Sequence, residues 1–226
     1  GHSDYRTIVY APNSVQEIAD IMVMAFDKAE EHRLPVVVLI DASLGQMMEP
    51  VELPAMHEHN PDFLPWALRG KGDGEHKRHT SVMYYNKNYD EYLKTRYARI
   101  ESKEQRWESF DTQDADLVLV SYGISSRICE EAVQRCRAKG QKVGLIRPIS
   151  LYPFPLRAFD ETSPKLGYLC VEMSLLAQMA QDVATASSMK YPIYDFGAGT
   201  VLYDVEKICT AIDEIYSGKA KEVFGK

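Results

Sequence analysis

The chain of 226 residues and 25.7 kDa is long enough to bury roughly 70% of its unfolded surface. Its 45% hydrophobic and 26% charged residues are the balance of a folded globular protein, which argues against disorder. Subtracting 33 acidic from 26 basic residues gives a net charge of −7, which repels a phosphate backbone; the densest basic cluster, Lys71 to Arg78, is interrupted by Asp73 and Glu75, so nucleic acid is not an expected partner. No apolar run approaches the roughly 20 residues of a bilayer span, so no membrane is expected either.

In chain order, the first element is a short apolar strand, Ile8 to Ala11, followed by Pro12, Asn13 and a capping box made by Ser14 and Glu17. Ile18, Ile21, Met22, Ala25, Phe26 and Ala29 then recur at helical spacing, predicting a helix that ends between His32 and Leu34. Pro35 opens the unbroken run Val36 to Ile40, the pattern of a parallel strand buried on both faces. Strand, helix and strand make a βαβ unit, which cannot form a domain alone.

Between Pro50 and Ala115 the periodicity fails through Pro54, Pro61, Pro65 and the GKGDG stretch at Gly70 to Gly74. It recovers at Tyr89, Tyr92, Leu93, Tyr97, Ile100 and Trp107, which predict an amphipathic helix packing an aromatic stripe on a neighbour. From Asp116 strand and helix alternate again. Leu117 to Val120 is a strand, and Ser125 or Ser126 is placed to cap a helix that carries Ile128, Ala132, Val133 and Cys136 and ends at Gly140. Val143 to Ile146 and Tyr168 to Val171 are further strands, with a helix from about Leu176 to Met189. Pro192 to Tyr194 reads as a short strand before the turn Gly197-Ala198-Gly199-Thr200, and Asp204 to Tyr216 as a last amphipathic helix. The expected fold class is α/β, with a doubly wound, mainly parallel sheet in the second half.

Several constellations carry candidate chemistry. The turn Tyr122-Gly123-Ile124-Ser125-Ser126 follows a strand as phosphate-binding turns do, but it lacks a dinucleotide or P-loop fingerprint, so the structural reading is preferred. The same holds for the Gly197 turn. His57, His59, His76 and His79 invite a metal reading, yet they lie in a polar linker without cysteines, and no metal site is expected. Cys129, Cys136, Cys170 and Cys209 contain no CxxC pair and read as buried reduced thiols of a cytoplasmic protein. Neither a GxSxG elbow nor a cysteine–histidine pair supports a hydrolase. Glu172 ends a strand at the edge where doubly wound folds place functional groups; it serves there as a functional carboxylate or as a cap on the next helix, two readings of equal weight. Leu44-Gly45-Gln46-Met47-Met48-Glu49-Pro50 offers a soft apolar surface that suits an interface, a pocket wall or core packing.

Taken together, GHSDYR, APNSVQEIAD, PVVVLIDASLGQMMEP, DADLVLVSYG, VGLIRPISLYPFP and VEMSLLAQMAQDV resemble, in this order, the large (alpha) subunit of the 2-oxoacid:ferredoxin oxidoreductases, most like the 2-oxoisovalerate, branched-chain type. RPISLYPFP and LGQMMEP are the specific parts, and the resemblance covers nearly the whole chain. It implies that residues 1–54 are the last part of a thiamine-diphosphate pyrimidine-type domain, 55–115 a linker with an amphipathic helix, and 116–226 a domain like the C-terminal domain of transketolase. An earlier, larger part of the first domain is expected to precede Gly1, leaving the βαβ unit to dock on the second domain.

The resemblance further implies oxidative decarboxylation of a 2-oxo acid to its coenzyme A thioester, with thiamine diphosphate, Mg²⁺ and iron–sulfur clusters in the complete complex. Electrons would pass to ferredoxin. The diphosphate and Mg²⁺ would be held by a thiamine-binding beta subunit, with gamma and ferredoxin-like delta subunits as further partners. No catalytic residue and no cofactor ligand is matched in this chain, which is expected to be inactive alone. Gly45, Gln46, Met47, Met48, Glu172 and Gln178 remain as candidate pocket or interface residues. Where the family shows E-M-N-x-G-Q-M, Ser174 and Ala177 replace asparagine and glycine, which puts in doubt any backbone conformation that needs the glycine. Two other readings stand beside this one: a non-catalytic assembly module of such a complex, and a free-standing flavodoxin-like nucleotide-binding protein with its ligand at Gly123 or Gly199.

Overall fold

A computed structural model describes residues 4–55, 88–197, 199 and 204–225. The linker histidines, the GKGDG stretch and Thr200 lie outside the described residues. Strand β1 (Ile8–Tyr10), helix α1 (Val15–His32) and strand β2 (Val36–Val38) form the βαβ unit. The capping box closes as the sequence directs: Glu17 N–H donates to Ser14 Oγ at 3.1 Å, and the Glu17 carboxylate reaches back to Asn13 N–H at 2.8 Å. A one-turn helix, α2 (Ala42–Gly45), follows β2, and the linker ends in α3 (Tyr89–Lys103). Of the expected stripe, Ile100 is buried and Tyr97 packs beside Ile8, Tyr10 and Leu34, whereas Tyr92 is exposed. Trp107 does not continue that helix. It opens strand β3 (Trp107–Phe110), because the chain there meets the open edge of a neighbouring strand and pairs with it.

The second half contains β4 (Leu117–Val120), α4 (Gly123–Ala138), β5 (Val143–Pro148), β6 (Ser150–Tyr152), α5 (Arg157–Asp160), β7 (Gly167–Glu172), α6 (Gln178–Ala186), β8 (Ile193–Gly197) and α7 (Val205–Tyr216). Five strands make one sheet in the order β3-β5-β4-β7-β8, parallel except for β3. Every residue of β4, β5 and β7 is buried, as strands covered on both faces must be. Helices α4 and α7 cover one face around Leu119, Leu145 and Ile212; α5 and α6 cover the other around Val120, Phe159 and Val183.

Helix α6 is shorter than its periodicity suggests. Ala177 takes a left-handed conformation (φ 49°) before it, and Ser188 and Met189 (φ 54° and 53°) do so after it, so neither end can continue as α-helix. Ala177 therefore adopts the backbone conformation its side chain disfavours.

The two halves interlock. β6, from the second half, pairs antiparallel with β1 to complete a three-stranded sheet β2-β1-β6. β3, from the linker, closes the edge of the large sheet. Buried Arg147, 2% exposed in its side chain, donates from both terminal guanidinium nitrogens to Glu17 of α1 at 2.8 and 2.9 Å and from Nε to Glu108 of β3 at 2.9 Å.

Candidate functional site

In the large sheet β5 lies on one side of β4 and β7 on the other, so the winding reverses at β4 and the carboxyl ends of β4 and β7 flank a topological switch point. A cavity of about 190 Å³ lies there, lined by Tyr122, Gly123 and Ser125 after β4, Glu172 and Met173 after β7, and Leu39 to Asp41 from the βαβ unit. Doubly wound folds place ligands at this crevice because diverging crossovers leave it open.

Two helix N-termini point at this edge, and each is held by a carboxylate of the chain itself. Asp41 Oδ1 accepts Leu44 N–H of α2 at 2.8 Å, and its Oδ2 accepts Ile124 N–H of α4 at 2.9 Å. One side chain of the first half thus caps a helix in each half. The expected caps Ser125 and Ser126 lie inside α4 instead, where Ser126 Oγ donates to Gly123 O at 2.8 Å. Gly123 is needed twice: its φ is +60°, and a Cβ would lie 2.9 Å from Asp41 Oδ2. On the other side of the crevice, Glu172, 2% exposed, accepts Met179 N–H of α6 at 3.0 Å. The anion positions of α4 and α6 are thus filled from within. At the Gly197 turn, a Cβ on Gly199 would meet the Leu175 side chain at 3.2 Å. The Gly123 turn is thus closed by Asp41 and does not offer the open anion cradle that a nucleotide there would require.

Glu172 consequently both caps a helix and lines the cavity. Burial pushes its carboxyl up to about 7, the neighbouring Asp195 adds to the rise, and the backbone N–H groups of Met179 and Gln178 only partly offset it. Burial, followed by the charges of Glu172, Asp41 and Asp182, raises the Tyr122 phenol as well.

The other candidates are distributed. Gln178 begins α6, beside Glu172. Gly45 ends α2, Gln46 is exposed, Met47 Sδ lies 3.5 Å from the Arg127 guanidinium, and Met48 is 97% exposed. Glu49, which the sequence reading did not single out, fixes this loop by accepting Val15 N–H at 3.0 Å and Arg127 Nη1–H at 2.8 Å. The loop is therefore pinned beside α4, and none of Gln46 to Glu49 lines the cavity, whose wall from the first half is Leu39 to Asp41. Asp41 was missed as well; the available signal was an acidic residue at the carboxyl end of a β-branched run.

Among the described residues, one group, Glu31, His32 and Glu104, has metal-ligand geometry. Lys28 already sits there, its ammonium 2.9 Å from both Glu31 and Glu104, and Arg99 is 2.6 Å from Glu31. The group is a charge-balanced tie between α1 and α3. The four cysteines are free and buried, and burial pushes the Cys129 and Cys136 thiols up to about 12, the opposite of what cluster ligation needs. No helix among the described residues is long and apolar enough to cross a membrane.

Fold and site thus define an α/β chain in which a partial βαβ unit roofs the carboxyl edge of a doubly wound domain. Comparison with known proteins gives two family matches that follow each other along the chain. Residues 2–111 match the thiamine-diphosphate-binding domain model of pyruvate flavodoxin/ferredoxin oxidoreductase, and residues 115–208 match core domain II of pyruvate:ferredoxin oxidoreductase. The ketoisovalerate oxidoreductase subunit VorB of Methanothermobacter marburgensis is 44% identical over 84% of this chain and 55% of its own length. The 2-oxoglutarate synthase subunit KorA of Methanocaldococcus jannaschii is 28% identical over 95% and 59%. Among solved structures, 2-oxoglutarate:ferredoxin oxidoreductase from Magnetococcus marinus superposes with a TM-score of 0.76 over 95% of this chain and 43% of that one, at 20% identity. A split-gene transketolase does so at 0.52 over 94% and 58%, at 15% identity. The chain belongs to the 2-oxoacid:ferredoxin oxidoreductase family, as a subunit of that kind. It spans about half the length of the curated relatives it matches.

Proposed function

We propose that this chain is part of the alpha subunit of a complex that oxidatively decarboxylates a branched-chain 2-oxo acid, 2-oxoisovalerate, to its acyl-coenzyme A and passes the electrons to ferredoxin. The observation that carries the reading is the 44% identity to a ketoisovalerate oxidoreductase subunit, against 28% to 33% for 2-oxoglutarate synthase subunits, together with two family models of one enzyme that follow each other along the chain. Residues 1–54 belong to the thiamine domain, 55–115 link it, and 116–226 form the transketolase-like domain. Thiamine diphosphate supplies the carbanion chemistry when bound. The diphosphate and its Mg²⁺ fall to a beta subunit and the clusters to other subunits, as the family resemblance implies; in support, Asp41 and Glu172 occupy the N-termini of α2, α4 and α6. The work of this chain is placement: Asp41 and Arg147 fix the first unit on the second domain, and the pinned loop Gln46 to Glu49 presents Met48 to a partner. The complex is cytoplasmic.

The test is assembly of the full-length subunit with its partner subunits and measurement of viologen or ferredoxin reduction with coenzyme A. The expected order of kcat/KM is 3-methyl-2-oxobutanoate above 2-oxoglutarate and pyruvate. A preference for 2-oxoglutarate would overturn the substrate, and no reduction with any 2-oxo acid would overturn the reaction.

A further inference from the structure

Four strands end the two sheets among the described residues: β3 and β8 in the large one, β2 and β6 in the small one. Three of them are blunted. β3 carries the exposed Glu108, β8 is crossed by the tail through Val223 N–H to Ile193 O at 2.8 Å, and β6 gives Ser150 N–H to Arg106 O at 3.1 Å. A charge or a crossing segment of this kind keeps an edge from recruiting another strand. β2 has neither.

The parallel register from Ile8 opposite Val36 to Tyr10 opposite Val38, with Leu39 N–H on Tyr10 O at 2.7 Å, turns the backbone groups of Val37 and Leu39 toward β1 and those of Val36, Val38 and Ile40 outward. Pro35, which lacks an N–H, falls on the β1 side by the same alternation, so the outward set keeps every donor. Among the described residues no strand or loop pairs with it. The side chains agree. Val36 and Val38 pack with Ile21 of α1, whereas Val37 and Leu39, on the opposite face, are 41% and 43% exposed. β4, an equally apolar run flanked by β5 and β7, is buried at every residue. β2 thus has the composition of a central parallel strand and the position of an edge.

We propose that the outer edge of β2 pairs in parallel with a strand from the part of the subunit outside these 226 residues, the segment expected before Gly1, and that the same segment covers Val37 and Leu39. Chain length supports this occupant: the match to VorB takes in 55% of that protein and leaves 45% of it outside, whereas a parallel strand with its crossover needs only about 30 residues. A second copy fits less well. Across a two-fold axis it meets β2 antiparallel, and a strand added at an edge covers neither face. The inference rests on family membership and on no particular substrate, and no arm of its test measures turnover.

Hydrogen exchange of the full-length subunit and of this chain is the test. In the full-length subunit the amides of Val36, Val38 and Ile40 are expected to exchange as slowly as that of Leu39, and in this chain at least about tenfold faster. Val37→Lys leaves the backbone bonds in place and should lower the Tm of the full-length subunit by roughly 4 °C or more, but that of this chain by less than about 2 °C. Outward amides that exchange equally fast in both proteins overturn the proposal. So do equal Tm shifts in the two proteins, protection in this chain that grows with its concentration, which marks a second copy on the edge, and protection of the full-length subunit that arises only when partner subunits are added.

Discussion

Arg147→Met is the perturbation that tests the interlock most directly. The guanidinium makes three charge-assisted hydrogen bonds, two to Glu17 and one to Glu108, and its side chain is 2% exposed; Glu17 is 20% and Glu108 49% exposed. Removing one partner of a buried ion pair costs about 3–5 kcal/mol, because the other charge is left behind. Here the lower end applies: Glu17 keeps water and its bond from Asn13 N–H, so R147M should lose about 3 kcal/mol. In a chain of this length that corresponds to a Tm fall of roughly 6–12 °C. Removing both charges in E17M/R147M leaves the lost capping contact, worth about 1 kcal/mol, and a half-exposed Glu108 that water can solvate, so the double variant should be more stable than R147M. R147K keeps the charge without the fork and should fall between. Urea unfolding of the unaltered chain, E17M, R147M and E17M/R147M gives the double-mutant cycle, with a coupling energy of about 2 kcal/mol or more expected. A coupling within about 0.5 kcal/mol, the range of independent sites, would refute the view that this pair locks the first unit onto the second domain.

Three further outcomes follow from single positions. Gly123→Ala places a Cβ at φ +60° and 2.9 Å from Asp41 Oδ2; left-handed strain of about 1–2 kcal/mol plus about 1 kcal/mol for the disturbed bond to Ile124 N–H predicts a loss of about 2–3 kcal/mol in urea titration. Ala177→Gly relieves the same strain at φ 49° and is opposed by about 0.4–1 kcal/mol of added unfolded-state freedom, so its midpoint should stay or rise slightly, whereas Ala177→Val should lower it. At acid pH the tie between α1 and α3 should fail: burial alone would raise Glu104, but hydrogen bonds from His32 and Lys28 outweigh it and hold its carboxyl below the ordinary range. A lowered carboxyl contributes above its unfolded value and is lost as pH falls through the folded one, so exchange of the Ile100 and Glu104 amides should quicken below about pH 4, and E104Q should remove that dependence.

What was legible in the sequence follows from the range over which each signal acts. The capping box, α7 and the buried runs of β4, β5 and β7 are local: apolar period, cap and length suffice. β3 and β6 were missed because Trp107-Glu108-Ser109-Phe110 and Ser150-Leu151-Tyr152 are short and half polar, and become strands only by meeting the open edges of β5 and β1. The α4 cap was misread for the same reason. Asp41 sits 83 residues from Ile124, so its carboxylate is invisible to any rule about the residues just before a helix. Glu172 could be narrowed to two roles, and the folded chain shows the cap on α6 while also setting the side chain on the cavity wall, because the end of β7 lies beside the cavity and under the start of α6.

The segment RPISLYPFP, the most specific part of the family resemblance, contains no chemistry that the sequence could reveal. Arg147 binds Glu17 across the interface, Ser150 Oγ receives Arg106 N–H at 2.9 Å and donates to Pro153 O at 2.7 Å, and Ser150 to Tyr152 become the third strand of the other sheet. Within six residues one segment supplies a buried charge, a hydrogen-bonded bend and a strand to a neighbouring unit, and each needs a particular side chain or backbone path. A substitution there disturbs two sheets at once, whereas one in a glycine turn disturbs a single connection. Such a segment therefore identifies the family through the way its domains are joined, and that joining is the contribution its own contacts support.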